Sequence, residues 1–134
     1  MNRRVREVTQ SLDELSHHII GAAMTVHTEL GAGLLESAYE HCLLYELNKR
    51  GFKVQSQITL PIHYDGQRID AGYRIDLMVE DSIIIELKTV ERLLPIHTAL
   101  LLSYLKMSNK RLGLLINFNV TSLKNGIKRV ANDL

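Results

Sequence analysis

Apolar residues at Leu12, Leu15, Ile19, Ala23, Val26 and Leu30 recur at steps of three and four, the period of an amphipathic helix. Ser11-Leu12-Asp13-Glu14 reads as the capping box that opens this helix, with a hydroxyl at the N-cap and a carboxylate three residues on. Residues 1–10 are then expected to be a flexible N-terminal segment. Gly31 and Gly33 break the period. A second helix is predicted over 35–50, with Ala38, Cys42, Leu43 and Leu47 on its apolar side and Gly51 just past its end. From Phe52 the period changes to two, and Ile58, Leu60 and Ile62 alternate with polar residues as far as Tyr64. Asp65-Gly66 signals a hairpin turn. The next strand carries Tyr73, Ile75 and Leu77, and Glu80-Asp81 marks another turn. Ile83-Ile84-Ile85 then makes a strand apolar on both faces, as a central strand should be. Pro95 suits the first turn of a third helix reaching about residue 107. Residues 112–118 read as a second buried strand. A last helix is predicted from residue 122, carrying Leu123, Ile127 and Val130.

The predicted order is helix, helix, three meandering strands, helix, strand, helix. Short turns make the first three strands antiparallel neighbours, and the helix after Lys88 permits a right-handed crossover to a parallel strand. The fold class expected is α/β, with a mixed central β-sheet flanked by helices. The chain of 134 residues is the size of one domain. A lone cysteine, Cys42, excludes an internal disulfide and a cysteine-rich zinc site. There is no apolar leader and no stretch of the roughly 18 apolar residues a bilayer span needs, so no membrane is expected and the cytoplasm is the expected location. The net charge of +1 does not mark a nucleic-acid binder. From Tyr104 onward, however, Lys106, Lys110, Arg111, Lys124, Lys128 and Arg129 face a single acid, Asp133. Such a basic third suits phosphate contact and a solvated face equally.

The chemistry centres on Glu86 and Lys88, which share one face of a strand because side chains alternate. A carboxylate and an ammonium at the end of a buried strand need partners. If three residues form the preceding turn, Val79 faces Ile83 and Asp76 faces Glu86, with Cβ atoms about 4.5–5.5 Å apart. Two carboxylates so close repel unless one is protonated or a cation lies between them. Oxygen-only ligation of that kind favours Mg²⁺ or Mn²⁺. Glu36 offers a third carboxylate in the first turn of the second helix, and Tyr39 lies on the same face. His17, His18, His27, His41 and His63 show no ligand spacing, and no HExxH or glycine-rich phosphate loop is present.

Gly33-Leu-Leu-Glu36-Ser-Ala-Tyr39 resembles the motif of the GxxExxY family, grouped with PD-(D/E)XK nuclease-like proteins. The resemblance continues through Asp76-Leu-Met-Val, Ile85-Glu86-Leu-Lys88, Leu94-Pro95-Ile-His97, Ser103-Tyr104-Leu105-Lys106 and Leu112-Gly113-Leu-Leu-Ile-Asn117-Phe118. It implies a restriction-endonuclease-like αβββαβ core with an added N-terminal helix. It further implies that Asp76 and Glu86 bind a metal with the carbonyl of Leu87, and that Glu36 completes the site. Lys88 would position or deprotonate the attacking water. Tyr39, His97 and Tyr104 would support the site or touch substrate. Family members often carry a glutamine four residues before the tyrosine matching Tyr104, where this chain has Leu100.

Three functions follow for test. One is a metal-dependent nuclease hydrolysing phosphodiester bonds in DNA or RNA. Another is a non-catalytic nucleic-acid-binding or accessory protein that keeps the fold. The third is an interaction domain whose acids only form salt bridges. The small size implies that a homodimer or a protein partner completes the substrate groove.

Overall fold

A computed structural model describes residues 3–134. The elements run α1 (Arg3–Leu30), α2 (Glu36–Lys49), β1 (Val54–Tyr64), β2 (Gln67–Val79), β3 (Ile83–Lys88), α3 (Pro95–Ser108), β4 (Leu112–Asn117) and β5 (Ile127–Ala131). A single 3₁₀ turn, Leu123–Gly126, precedes β5. The strands lie in the order β1-β2-β3-β4-β5. Only β3 and β4 are parallel, joined through α3; the other neighbours are antiparallel. The mixed sheet and its flanking helices match the α/β expectation, including the αβββαβ order.

The three isoleucines of β3 show why this strand is central. Ile83 and Ile85 join Leu77, Val79, Leu114 and Ile116 in a core closed by α1 and α2. Ile84 points the other way, into a second core with Met78, Leu115 and the α3 residues Leu101 and Leu105. Helices therefore cover both faces, and Glu86 and Lys88 continue the strand from between two apolar layers.

Two end-of-chain expectations are corrected. The first helix does not start at a capping box on Ser11, because α1 already begins at Arg3 and passes straight through it. Asp13 instead forms an ion pair with Arg129 of β5, and the Ser16 hydroxyl donates to the Asp13 carbonyl. Of the segment 1–10 expected to be flexible, residues 1–2 lie outside the described residues and the rest is helix.

The last helix is replaced by the 3₁₀ turn and β5. Ile127 and Val130, three apart, fit a helical stripe equally well. In a strand they face opposite ways, Ile127 toward the α1/α2 core and Val130 toward the α3 core. Pairing with β5 also satisfies the outer edge of the wholly buried β4, which a helix would leave open. Gly126 allows the approach, since a Cβ there would sit 2.2 Å from the Asn117 carbonyl oxygen.

Candidate active site

The β2–β3 ladder runs Val79↔Ile83, Met78↔Ile84 and Leu77↔Ile85, the register that a three-residue turn predicts. Glu80 and Asp81 make the turn by adopting left-handed φ of 51° and 49°, a region that aspartate tolerates better than most residues, and the Glu80 carboxylate is tied back to the Lys53 N–H at 2.9 Å. The next step of the ladder brings Asp76 and Glu86 face to face. Here side chains take over from backbone. The Asp76 N–H donates to Glu86 Oε1 at 3.1 Å, and the Leu87 N–H donates to Asp76 Oδ2 at 2.8 Å. Two carboxyls are thus inserted where backbone pairing ends, each held by a peptide N–H.

Burial pushes the Glu86 carboxyl up to about 8, Asp76 adds to the rise, and Lys88 opposes it. Glu36, the first residue of α2, is also raised, first by burial and then by Asp76, again against Lys88. Glu40 lies one turn further along α2 and is raised by burial and by Asp76. Lys88 is therefore the cation that offsets a concentration of negative charge.

The donor chemistry is all oxygen, which suits a hard divalent cation. Among the described residues, however, no group of three or more His, Cys, Asp or Glu side chains is arranged to hold a metal. The expected set of Asp76, Glu86 and Glu36 is thus not assembled as a three-carboxylate cage. Asp76 and Glu86 form a two-carboxylate half-site, to which the Leu87 carbonyl can add. Mg²⁺ commonly binds through one or two carboxylates, with waters and substrate phosphate supplying the rest. The residues fit such a cation on those terms.

The other expected site residues are placed as follows. Tyr39 is fully buried and stacks on Phe118 with ring centroids 4.6 Å apart. Its hydroxyl donates to the Gly31 carbonyl at 2.6 Å and accepts the Leu34 N–H. It thereby pins the loop that delivers Glu36, and its buried ring is closed to substrate. Gly31 and Gly33 carry φ of 69° and 97° in that loop. His97 caps α3, its Nδ1 accepting the Leu94 N–H at 2.9 Å. Tyr104 is buried beside the carboxyls, its hydroxyl raised by burial, then by Glu86 and Asp76.

Three participants went unassigned in the sequence. Glu40 follows Glu36 by one helical turn, a usable signal. Gln57 gives no signal at all. It takes a left-handed φ of 53° at the β1 position facing Asp76, between the pairs Ser56↔Leu77 and Ile58↔Ile75, and its Nε2 donates to Glu40 at 2.7 Å. The third is Asn117, at the end of β4 opposite Lys88. Its amide pairs with both backbone groups of Val90, accepting the N–H at 3.1 Å and donating to the carbonyl at 2.9 Å. The chain leaving Lys88 is thereby fixed by a side chain acting as a short strand. Asn117→Ala leaves the half-buried Val90 N–H without this partner and the Val90 carbonyl with only the longer bond from Asn119 at 3.4 Å, and should lower stability by about 1–2 kcal/mol, read as a drop in the urea midpoint. An unchanged midpoint would show that this clamp holds nothing.

No match is found among curated proteins. The solved structure of SSO0001 aligns over 75% of this chain and 54% of that one, with 24% identity and a TM-score of 0.51. That likeness is one of fold, and the present chain spans about half of that protein's length. The profile of the PD-(D/E)XK nuclease superfamily matches residues 13–130. Its span takes in both carboxyl-bearing strands, the following lysine and the crossover helix, and the chain accordingly belongs to the PD-(D/E)XK nuclease superfamily.

Proposed function

We propose that the protein is a metal-dependent nuclease of the GxxExxY group that hydrolyses phosphodiester bonds in cytoplasmic DNA or RNA. The observation that carries this reading is the pair of carboxyls, Asp76 and Glu86, facing each other beside Lys88. PD-(D/E)XK nucleases generally use divalent metals; Mg²⁺ or Mn²⁺ is proposed here, held by Asp76, Glu86 and the Leu87 carbonyl. When bound, the cation supplies Lewis acidity toward a phosphoryl oxygen and lowers the pKa of water.

The chain's own residues do the rest. The peptide N–H groups of Asp76 and Leu87 fix the two carboxyls before substrate arrives, so little reorganisation remains for the reaction itself. Lys88 Nζ orients the attacking water and offsets negative charge that grows on the phosphoryl oxygens. Glu36 holds Lys88 in place electrostatically, and Tyr39 sets the loop on which Glu36 stands. A second copy or a protein partner is proposed to complete the groove for a long substrate.

An accessory role without turnover is the second reading, favoured by Leu100 where relatives often carry glutamine. Titrating Mn²⁺ by calorimetry into wild type and into the Asp76→Ala/Glu86→Ala variant, with and without a short oligonucleotide, separates the two. Saturable binding lost in the variant, accompanied by cleavage of labelled DNA or RNA, is the expected result. Metal binding without cleavage of any substrate would favour the accessory role. No binding in either condition would remove the metal site altogether.

A further inference from the structure

Of β2, only the last residues, Leu77–Val79, pair with β3. The remainder of β1 and β2 extends past it as a two-stranded arm, with residues 67–74 all exposed. Between this arm and α3 lies a cavity of about 250 Å³ lined by Ile62, Tyr73, Leu100, Ser103, Tyr104 and Met107. Its walls are unusual for an open surface, since Tyr73 and Met107 are 38% and 41% exposed. The Tyr73 and Tyr104 rings meet edge-on, 6.2 Å apart at 69°, which steadies Tyr73 while leaving part of its ring in solvent.

We propose that this cleft is a binding site for one unstacked nucleobase, so that the enzyme acts on single-stranded or locally unpaired nucleic acid. The proposal rests on the nuclease reading above and names the substrate class for that same site. Four observations carry it. The cleft opens on the same side of the sheet as the candidate active site, because Tyr104 lines it and belongs to the core cluster of Ile84, whose side of β3 Glu86 shares. The cavity is smaller than the roughly 300–1,000 Å³ of sites for drug-sized ligands, giving room for one planar ring system and too little for a peptide helix. Its walls combine an aromatic ring, aliphatic side chains and one hydroxyl, Ser103, which suits the face and edge of a base. Exposed cations, Arg74 and Lys106, stand on β2 and α3, the elements that carry Tyr73 and Met107, and add positive charge to the surface around the cleft, the mix of charge and aromatic platform used to bind single strands.

Leu100 gains a role on this view. A polar amide at that position would oppose burial of an apolar ring face, whereas leucine gives the cleft an apolar wall. A base inside a duplex is already stacked and paired, and reaching the cleft would require extruding it. A single strand avoids that cost.

The test uses 12-nucleotide single strands of DNA and of RNA carrying 2-aminopurine, and the matching duplexes. Binding is measured by fluorescence anisotropy in EDTA, so that nothing is cleaved. The single strand should bind at least about tenfold tighter than the duplex, with quenching of the 2-aminopurine emission on stacking. Tyr73→Ala should weaken single-strand binding by about tenfold and abolish the quenching, in line with stacking measured elsewhere by alanine substitution. Tyr73→Phe should restore both, and Leu100→Gln, which leaves the carboxyls and Lys88 in place, should weaken binding several-fold. Equal affinity of wild type and Tyr73→Ala for the single strand, or equal affinity of wild type for both forms, would overturn the inference. So would sedimentation showing a homodimer at assay concentrations that Tyr73→Ala converts to monomer. If Mn²⁺-dependent cleavage persists in either of those cases, the nuclease reading stands and only the base site is lost. Failure of every oligonucleotide to bind, with no cleavage, removes both.

Discussion

Lys88→Ala is expected to reduce phosphodiester cleavage by about 10²–10⁴-fold while leaving the fold and the KM for substrate nearly unchanged. Lys88 opposes the rise of both the Glu86 and the Glu36 carboxyls. Removing it takes away the group proposed to orient water and leaves the raised carboxyls without this counter-charge. The half-exposed position of Lys88 at the end of β3 means that its side chain contributes little to either core, so the melting temperature should move by only a few degrees. Lys88→Arg keeps the charge but replaces a compact ammonium by a broad, planar fork. It should recover substrate binding and recover rate poorly, which a role confined to charge balance would not produce. Steady-state kinetics on a labelled oligonucleotide, with circular dichroism as the control for folding, provide the measurement. A rate for Lys88→Ala within threefold of wild type would remove Lys88 from the chemistry and favour the accessory role.

What made this site legible was the strand that carries it. Three consecutive isoleucines identify a strand buried on both faces, so the polar residues that follow at a spacing of two stand out. The Glu80-Asp81 turn narrows the register to a two- or a three-residue loop, and the ladder that pairs Val79 with Ile83 selects the three-residue one, which faces Asp76 to Glu86. Illegible features share a different physical origin. Ile127 and Val130 satisfy a helix period and a strand period at once, and what decides between them is the unpaired edge of β4, a tertiary demand. Ser11 and Glu14 look like a capping box by spacing alone, while the contact that Asp13 makes between them, with Arg129, spans 116 residues and leaves no local mark. Gln57 is the sharpest case. Glutamine has no preference for a left-handed φ, a conformation that costs a non-glycine residue of order 1 kcal/mol or more, so no local rule points to it. Its place is set by Glu40 across the α2–β1 gap. The sequence likewise suggested a third metal-ligating acid at Glu36; in the folded chain that residue is tied to Asp76 and Lys88 by charge without forming a three-member ligand set.

Glu86→Gln should make the metal-free protein more stable at pH 8 than wild type, and the difference should vanish toward pH 4.5. The sign follows from the raised carboxyl. In the unfolded chain Glu86 ionises near the ordinary glutamate value of 4.5, whereas burial and Asp76 hold it protonated in the fold to about 8. Below pH 4.5 both states carry the proton and the group has no effect on stability. Between 4.5 and 8 only the unfolded state releases it, so unfolding is increasingly favoured as pH rises; above 8 both are ionised and the loss is complete. Each unit of pKa difference corresponds to about 1.4 kcal/mol, and local relaxation around a buried charge takes back part of the total. A net gain of about 2–4 kcal/mol for the glutamine variant is therefore expected at pH 8, several degrees or more in melting temperature for a chain of this size. Glutamine keeps the shape of glutamate and can still accept the Asp76 N–H, while its own amide can donate to the Asp76 carboxylate. Denaturation in EDTA at pH 5, 6.5 and 8 gives the comparison. Adding Mn²⁺ at pH 8 should then stabilise wild type and leave the variant almost unmoved, because a cation that binds only the folded state shifts the equilibrium by mass action. The buried charge would in that case be a fault of the empty pocket alone, retained for the cation it accepts. Parallel pH profiles for the two proteins would mean that Glu86 is not held protonated in the fold, and that the face-to-face carboxyls are relieved by some route other than a shared proton or a divalent ion.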